Sequence, residues 1–162
     1  MRLLGNLTKH TRTRQGREGA TLAETAVVLP VFFVLLFGFI EFGHVFMVIH
    51  GLNSAARRAA RLGVSETATT ADVTAMARTV AGAAIHQDSA TIMVKNGDAF
   101  EVTGMDASTI NYSALPNIEL STAERRQLFI VRVTVPYNDI ALLGPRWLGG
   151  LTVYGQCVMR KE

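Results

Sequence analysis

From Thr25 to Ile40 the chain carries no charged residue, and most positions are Val, Leu, Phe or Ile. After Glu41 the apolar theme resumes as "FGHVFMVIH". This segment reads as part of one long helix over residues 20–62, which ends in "NSAARRAARLG", with Gly63 as the expected C-terminal cap. Such a helix rises about 65 Å, roughly twice the hydrocarbon thickness of a bilayer. One half is expected in lipid and the other beyond it. Pro30 falls inside the helix, an interruption that membrane helices tolerate.

Charge is unevenly spread. Residues 1–19 hold five basic groups (Arg2, Lys9, Arg12, Arg14, Arg17) against one acid, Glu18. Setting these aside leaves 11 basic and 12 acidic residues of the 16 and 13 in the chain. The basic character therefore belongs to a leader, expected to be disordered and cytoplasmic. No basic groove remains for nucleic acid. The single cysteine, Cys157, excludes an intramolecular disulfide and a cysteine metal cluster.

Beyond a linker at 64–71, "ADVTAMARTVAGAAIHQ" places Val73, Met76, Ala77, Val80, Ala81 and Ala84 at spacings of three and four. That predicts an amphipathic helix from Ala71, capped by Thr70 or Asp72. "ATIMVKNGDAFEVTG" has an Asn96-Gly97-Asp98 turn between two β-prone runs, which predicts a hairpin. "QLFIVRVTVPYN" alternates, with Phe129, Val131, Val133 and Val135 on one face and Ile130, Arg132 and Thr134 on the other. In "LTVYGQCVMRK", Leu151, Val153, Gly155, Cys157 and Met159 share a face. Both suit a half-buried antiparallel sheet, joined by "NDIALLGPRWLGG". Residues 104–126 show no clear element. The expected fold is α+β: a basic leader over 1–19, a transmembrane and projecting helix over 20–62, and a small extracytoplasmic head over 63–162 with a helix and an antiparallel sheet.

Glu24 stands at the mouth of the apolar run. A cleaved secretory signal does not account for it, because the run is too long and lacks an Ala-x-Ala break. A plain signal anchor fits the basic residues that precede the span, with the N-terminus held in the cytoplasm and the body exported. Neither reading uses the carboxylate, which is costly at membrane depth unless it finds a partner. Just inside a new N-terminus it would have two: the N–H groups of its own helix start, and the free α-amine of a neighbouring chain. That amine exists only if the leader is cut near Glu24, and Gly19 lies five positions upstream.

The stretch "GATLAE" resembles the cleavage site of type IV prepilins and pseudopilins. Over residues 16–64 the pattern is similar to the N-terminal signature of TadE-like proteins, pseudopilins of the tight-adherence (Tad) pilus system. Glu24 is followed by a short apolar stretch and Pro30, then Glu41-Phe42-Gly43, then "AARRAAR" at 55–61. The resemblance implies a pilin-like lollipop and cleavage by a prepilin peptidase between Gly19 and Ala20. It further implies a minor pseudopilin of the bacterial inner membrane, single-pass, with the head outside the cytoplasm, acting in Tad pilus assembly and surface adherence. Its partners would be the peptidase, other pseudopilins, the assembly platform and the lipid bilayer, with Glu24 serving assembly. Thr25 stands where Flp-type major pilins carry Tyr, and the remaining chain is long for such a subunit. A type II secretion-like minor pseudopilin stays open as an alternative, although Ala20 stands where that group carries Phe. A simple signal-anchored binding domain also stays open.

Glu41 and His44 lie one helical turn apart. A single Glu-x-x-His is not the repeated set a di-iron helix bundle uses, so a polar patch or helix contact is expected, with no metal. Gly38 and Gly43 suit either close helix packing or a neutral place in lipid. Arg57, Arg58 and Arg61 suit a solvated face, or a contact with lipid phosphates or an acidic partner. The Asn111-Tyr112-Ser113 triplet matches a glycosylation sequon by chance in a bacterial setting. No nucleophile–base set or Gly-rich phosphate loop is present, so neither catalysis nor a cofactor is implied.

Overall fold

The computed structural model describes residues 14–86, 89–102, 104, 106, 109–142 and 150–162. Most of the expected leader, and most of the connection after Leu142, lie outside these residues. Two compact units divide between Ile40 and Glu41. The second unit, from Glu41 to Glu162, thus takes in the C-terminal part of the first helix.

Helix α1 runs from Arg14 to Gly63 and contains Pro30. It starts before Ala20, so residues 14–19, expected to be disordered, are helical. In the first unit every side chain from Ala20 to Phe37 is exposed, as are Phe39 and Ile40. Phe33 stacks on Phe37 one turn on and meets Phe32 edge to face.

In the second unit, α1 presents Val48, Leu52, Ala55, Ala56, Ala59 and Ala60 to the core, all fully buried. Their three- and four-residue spacing makes one stripe, and alanine combines high helix propensity with a small side chain. The sheet uses that small size. A Cβ on Gly155 would lie 2.3 Å from the backbone nitrogen of Asn53 and the carbonyl carbon of Leu52, so only glycine fits there. Gly63 ends α1 without a left-handed turn. Its missing side chain makes room for Leu120 and Phe129, each 3.0 Å from where a Cβ would sit.

Helix α2 spans Thr70–Ala81 and buries Val73, Ala77 and Ala81. Its cap is Thr69, one residue before Thr70 and three before Asp72, the expected candidates. The Thr69 hydroxyl accepts from the Asp72 N–H, and the Asp72 carboxylate accepts from the Thr69 N–H, a reciprocal capping box. The bonds from the Thr69 hydroxyl and N–H hold the Asp72 carboxyl below its ordinary range. Thr70 then ties down the segment that showed no clear element. Its hydroxyl donates to the Ile118 carbonyl and accepts from the Leu120 N–H, while its N–H donates to Glu119. Short 3-10 turns occupy Tyr112–Ala114 and Leu120–Thr122.

Strands β1 (Thr91–Asn96), β2 (Leu128–Pro136) and β3 (Thr152–Arg160) form an antiparallel sheet in the order β1-β2-β3. Phe129, Val131, Val133 and Val135 are fully buried against the helices, on the face their alternation predicts. Val153, Cys157 and Met159 pack on the same core, but Leu151 does not and is exposed. Burial raises the Cys157 thiol pKa, against a smaller downward pull from Arg57 and Arg61.

The hairpin expected at Asn96-Gly97-Asp98 does not form, and β1 pairs with β2 instead. The Asn96 side chain accepts from the Asp98 N–H at 2.7 Å, and Asp98–Glu101 closes into a 3-10 turn. Gly97 lies against the Leu128 backbone and donates its N–H to the Leu128 carbonyl at 2.8 Å. Local side-chain bonding and this long-range contact together outweigh the β propensity of "AFEVTG".

Just past β3, Lys161 is 4% exposed and directs its ammonium at the end of α1. It donates to the Gly63 carbonyl at 3.4 Å and to the Ser65 carbonyl. A cation at a helix C-terminus meets both the unpaired carbonyls and the negative end of the dipole.

Candidate functional site

Gly19 and Ala20, the residues of the expected cut, both lie within α1 and are exposed, and a Cβ on Gly19 would meet nothing within 4 Å. Glycine weakens a helix by about 1 kcal/mol relative to alanine, so the helix is locally poor at that peptide bond. Glu24 is exposed and stands well past the first turn of a helix that begins at Arg14. In the uncut chain the helix start therefore offers it nothing. A cut at Gly19–Ala20 would bring it into the first turns.

Around and after Glu24 the helix is apolar on every side. Leu22, Val34 and Phe39 are 72%, 72% and 75% exposed and point in different directions around the axis. A helix apolar all round needs lipid or other helices about it. Among the described residues α1 is the one helix long and apolar enough to cross a membrane, from Gly19 onward. Gly38 and Gly43 face open space: a Cβ on either would meet nothing within 4 Å.

Glu41 differs from Glu24 in every respect. It is 7% exposed. One oxygen accepts from the Tyr137 hydroxyl at 2.6 Å, and the other from the Leu142 N–H at 3.2 Å. His44, the other polar residue of the expected patch, is half-buried one turn along. Tyr137 owes its aim to the end of β2. Its N–H donates to the Leu151 carbonyl at 2.9 Å, and Tyr137–Asp139 turns the chain away behind it. Burial first, then the bond to Glu41 and its charge, push the Tyr137 hydroxyl up to about 12. The carboxylate thus gains a donor that stays protonated at any physiological pH.

Sequence reasoning missed Tyr137, although a signal was present. Continuing the inward set Phe129, Val131, Val133 and Val135 by two lands on Tyr137, and a tyrosine on a core face needs a partner for its hydroxyl. A second cluster was also missed. On the other face of the sheet Arg132 lies between the rings of Tyr112 and Tyr154, 3.9 Å from each centroid. Tyr112 is the middle residue of the sequon-like triplet, whose Asn111 side chain accepts from the Ser113 N–H and caps a turn.

No curated protein matches this chain, and no solved structure does. Residues 19–61 match the family model of the TadE-like proteins, so the TadE-like signature read from the sequence is present and runs along α1 from the residue at the expected cut to Arg61.

Proposed function

We propose that this protein is a minor pseudopilin of a Tad-type pilus, anchored by a single pass of α1 and acting in pilus assembly and surface adherence. The observation that carries the reading is the coincidence of the TadE-like match with a helix whose apolar side chains are exposed on all sides. Family and surface point the same way, to a helix that lies in lipid and packs beside its own kind. In this reading a prepilin peptidase cuts between Gly19 and Ala20, and the head is exported. The new α-amine of one subunit then meets Glu24 of a neighbour, offsetting two charges that are each costly in lipid. The protein works by position, not by catalysis.

The deciding experiment is the mass and N-terminal sequence of membrane-extracted protein, with and without a co-expressed prepilin peptidase. A peptidase-dependent start at Ala20 is expected. An intact N-terminus, while the same peptidase cuts a control prepilin, reduces the protein to a signal-anchored domain. Glu24→Ala then tests the pairing: unchanged subunit association and pilus assembly would remove that role.

A further inference from the structure

The expected cut falls inside a helix. Residues 14–19 are helical and run without a break into the apolar segment. In an α-helix each N–H donates to the carbonyl four residues back, so the N–H groups of Ala20, Thr21, Leu22 and Ala23 donate to the carbonyls of residues 16–19. Four backbone bonds thus straddle the Gly19–Ala20 peptide. A peptide bond wound into a helix is wrapped by its neighbours and its carbonyl is engaged, so a protease works on the fraction of the chain that has opened.

Packing does not reinforce those bonds. Gly19 and every residue from Ala20 to Phe37 are exposed, and a Cβ on Gly19 would meet nothing within 4 Å. The other end of α1 is the contrast, where Ala55, Ala56, Ala59 and Ala60 are fully buried in a core. Most helical stability in proteins comes from such packing, and where it is missing propensity decides. Ahead of the bond, two of the residues 14–19 are glycine, Gly16 and Gly19, the weakest helix former after proline. Behind it, Ala20, Leu22, Ala23 and Ala26 are among the strongest. The bond therefore lies on the border between a weak stretch of helix and a strong one.

We propose that α1 is a brake on its own processing: residues 14–19 must unwind before the Gly19–Ala20 bond can be cut, and Gly16 and Gly19 set how often they do. The inference rests on the reading that a peptidase cuts there, and deepens it by naming what limits the cut. Unwinding of 14–19 breaks the four straddling bonds while the residues from Ala20 onward stay helical. Helix–coil exchange takes about a microsecond or less, far faster than ordinary enzyme turnover, so the rate of cutting follows the open fraction. Hydrolysis then adds one water across the bond, leaving a carboxylate on Gly19 and an ammonium on Ala20. The opening becomes permanent, because Ala20–Ala23 no longer have a carbonyl four residues back and become the orphan donors of a new helix start.

The test uses the full chain in detergent micelles, with Gly16→Ala to strengthen the helix and Gln15→Gly to weaken it. Both variants keep Gly19, Ala20, Glu24 and every charge. A purified prepilin peptidase gives the rate of cutting. Hydrogen exchange at the amides of Ala20–Ala23, followed by NMR without peptidase, gives the opening. Gly16→Ala is expected to be cut about fivefold more slowly than the unaltered chain and Gln15→Gly about threefold faster, with exchange shifting in the same order. Equal rates despite shifted exchange would overturn the brake and leave the processing standing. So would any other order of rates, which would mean that positions 15 and 16 act by touching the peptidase. Exchange at Ala20–Ala23 in the unaltered chain as fast as in an unfolded peptide would overturn it too. An unaltered chain left uncut while a control prepilin is cut would bring down the processing and the brake together.

Discussion

The Tyr137 hydroxyl donates to a Glu41 carboxylate oxygen across 2.6 Å, joining the end of β2 to a helix residue 96 positions earlier. Tyr137→Phe keeps the ring and removes the donor. A hydrogen bond to a charged group contributes about 1.5–3 kcal/mol, so the head should lose about that much, read as a lower melting point in detergent micelles.

The same pair gives the head an alkaline limit. A hydroxyl raised from 10.0 to about 12 binds its proton more tightly in the folded state. The stability it contributes is whole below the unfolded value and is lost as pH rises through the folded one. Stability should fall between pH 10 and about 12, and Tyr137→Phe should flatten that limb. Tyrosine ionisation followed by absorbance against circular dichroism checks the sign.

Gly155→Ala should be the most damaging single-methyl change in the sheet, because its Cβ would meet backbone atoms of Leu52 and Asn53 rather than a side chain that can turn away. Overpacking of this kind costs about 3 kcal/mol. Limited proteolysis should show the head opened. Rigid-body separation of β3 from α1 without loss of stability would contradict the close packing.

Thr69→Ala should cost about 1 kcal/mol by removing the cap of α2. It should also change the acid response. The Asp72 carboxyl is held below its usual range by Thr69, so its contribution is present above the unfolded value and is lost as pH falls through the folded one. In the variant the acid limb of the stability curve should be shallower, as chemical denaturation between neutral and acid pH would show.

Arg132→Lys keeps the charge but loses the flat guanidinium held between Tyr112 and Tyr154. The stack should weaken by about 1–2 kcal/mol, since lysine cannot lie flat against two rings at once. The aromatic shifts of Tyr112 and Tyr154 should move in NMR spectra while the far-ultraviolet circular dichroism stays unchanged.

What the sequence disclosed follows from the range of the forces involved. The alternation in β2 and β3 and the three–four spacing in α1 and α2 are local patterns, and the structure follows them at Phe129, Val131, Val133, Val135, Val73 and Ala77. The apolar segment is likewise carried by neighbours in sequence, and the family match lies along it. The failures depend on distant residues. The hairpin at Asn96 gave way because β2, more than thirty residues on, supplied the better partner, with Gly97 lying against Leu128. The bonds from Tyr137 and Leu142 to Glu41 likewise come from far along the chain, where no helical spacing could show them.

Lys161 reaches the end of α1 from 98 positions downstream. During synthesis, α1 is made first and β3 last among these elements, so the alanine stripe stays bare and the terminal carbonyls keep their water until β3 arrives. Such non-local closure makes completion of the head a late step. Until then the apolar half of α1 can already occupy the membrane, while the half that will become core remains open to chaperones and proteases.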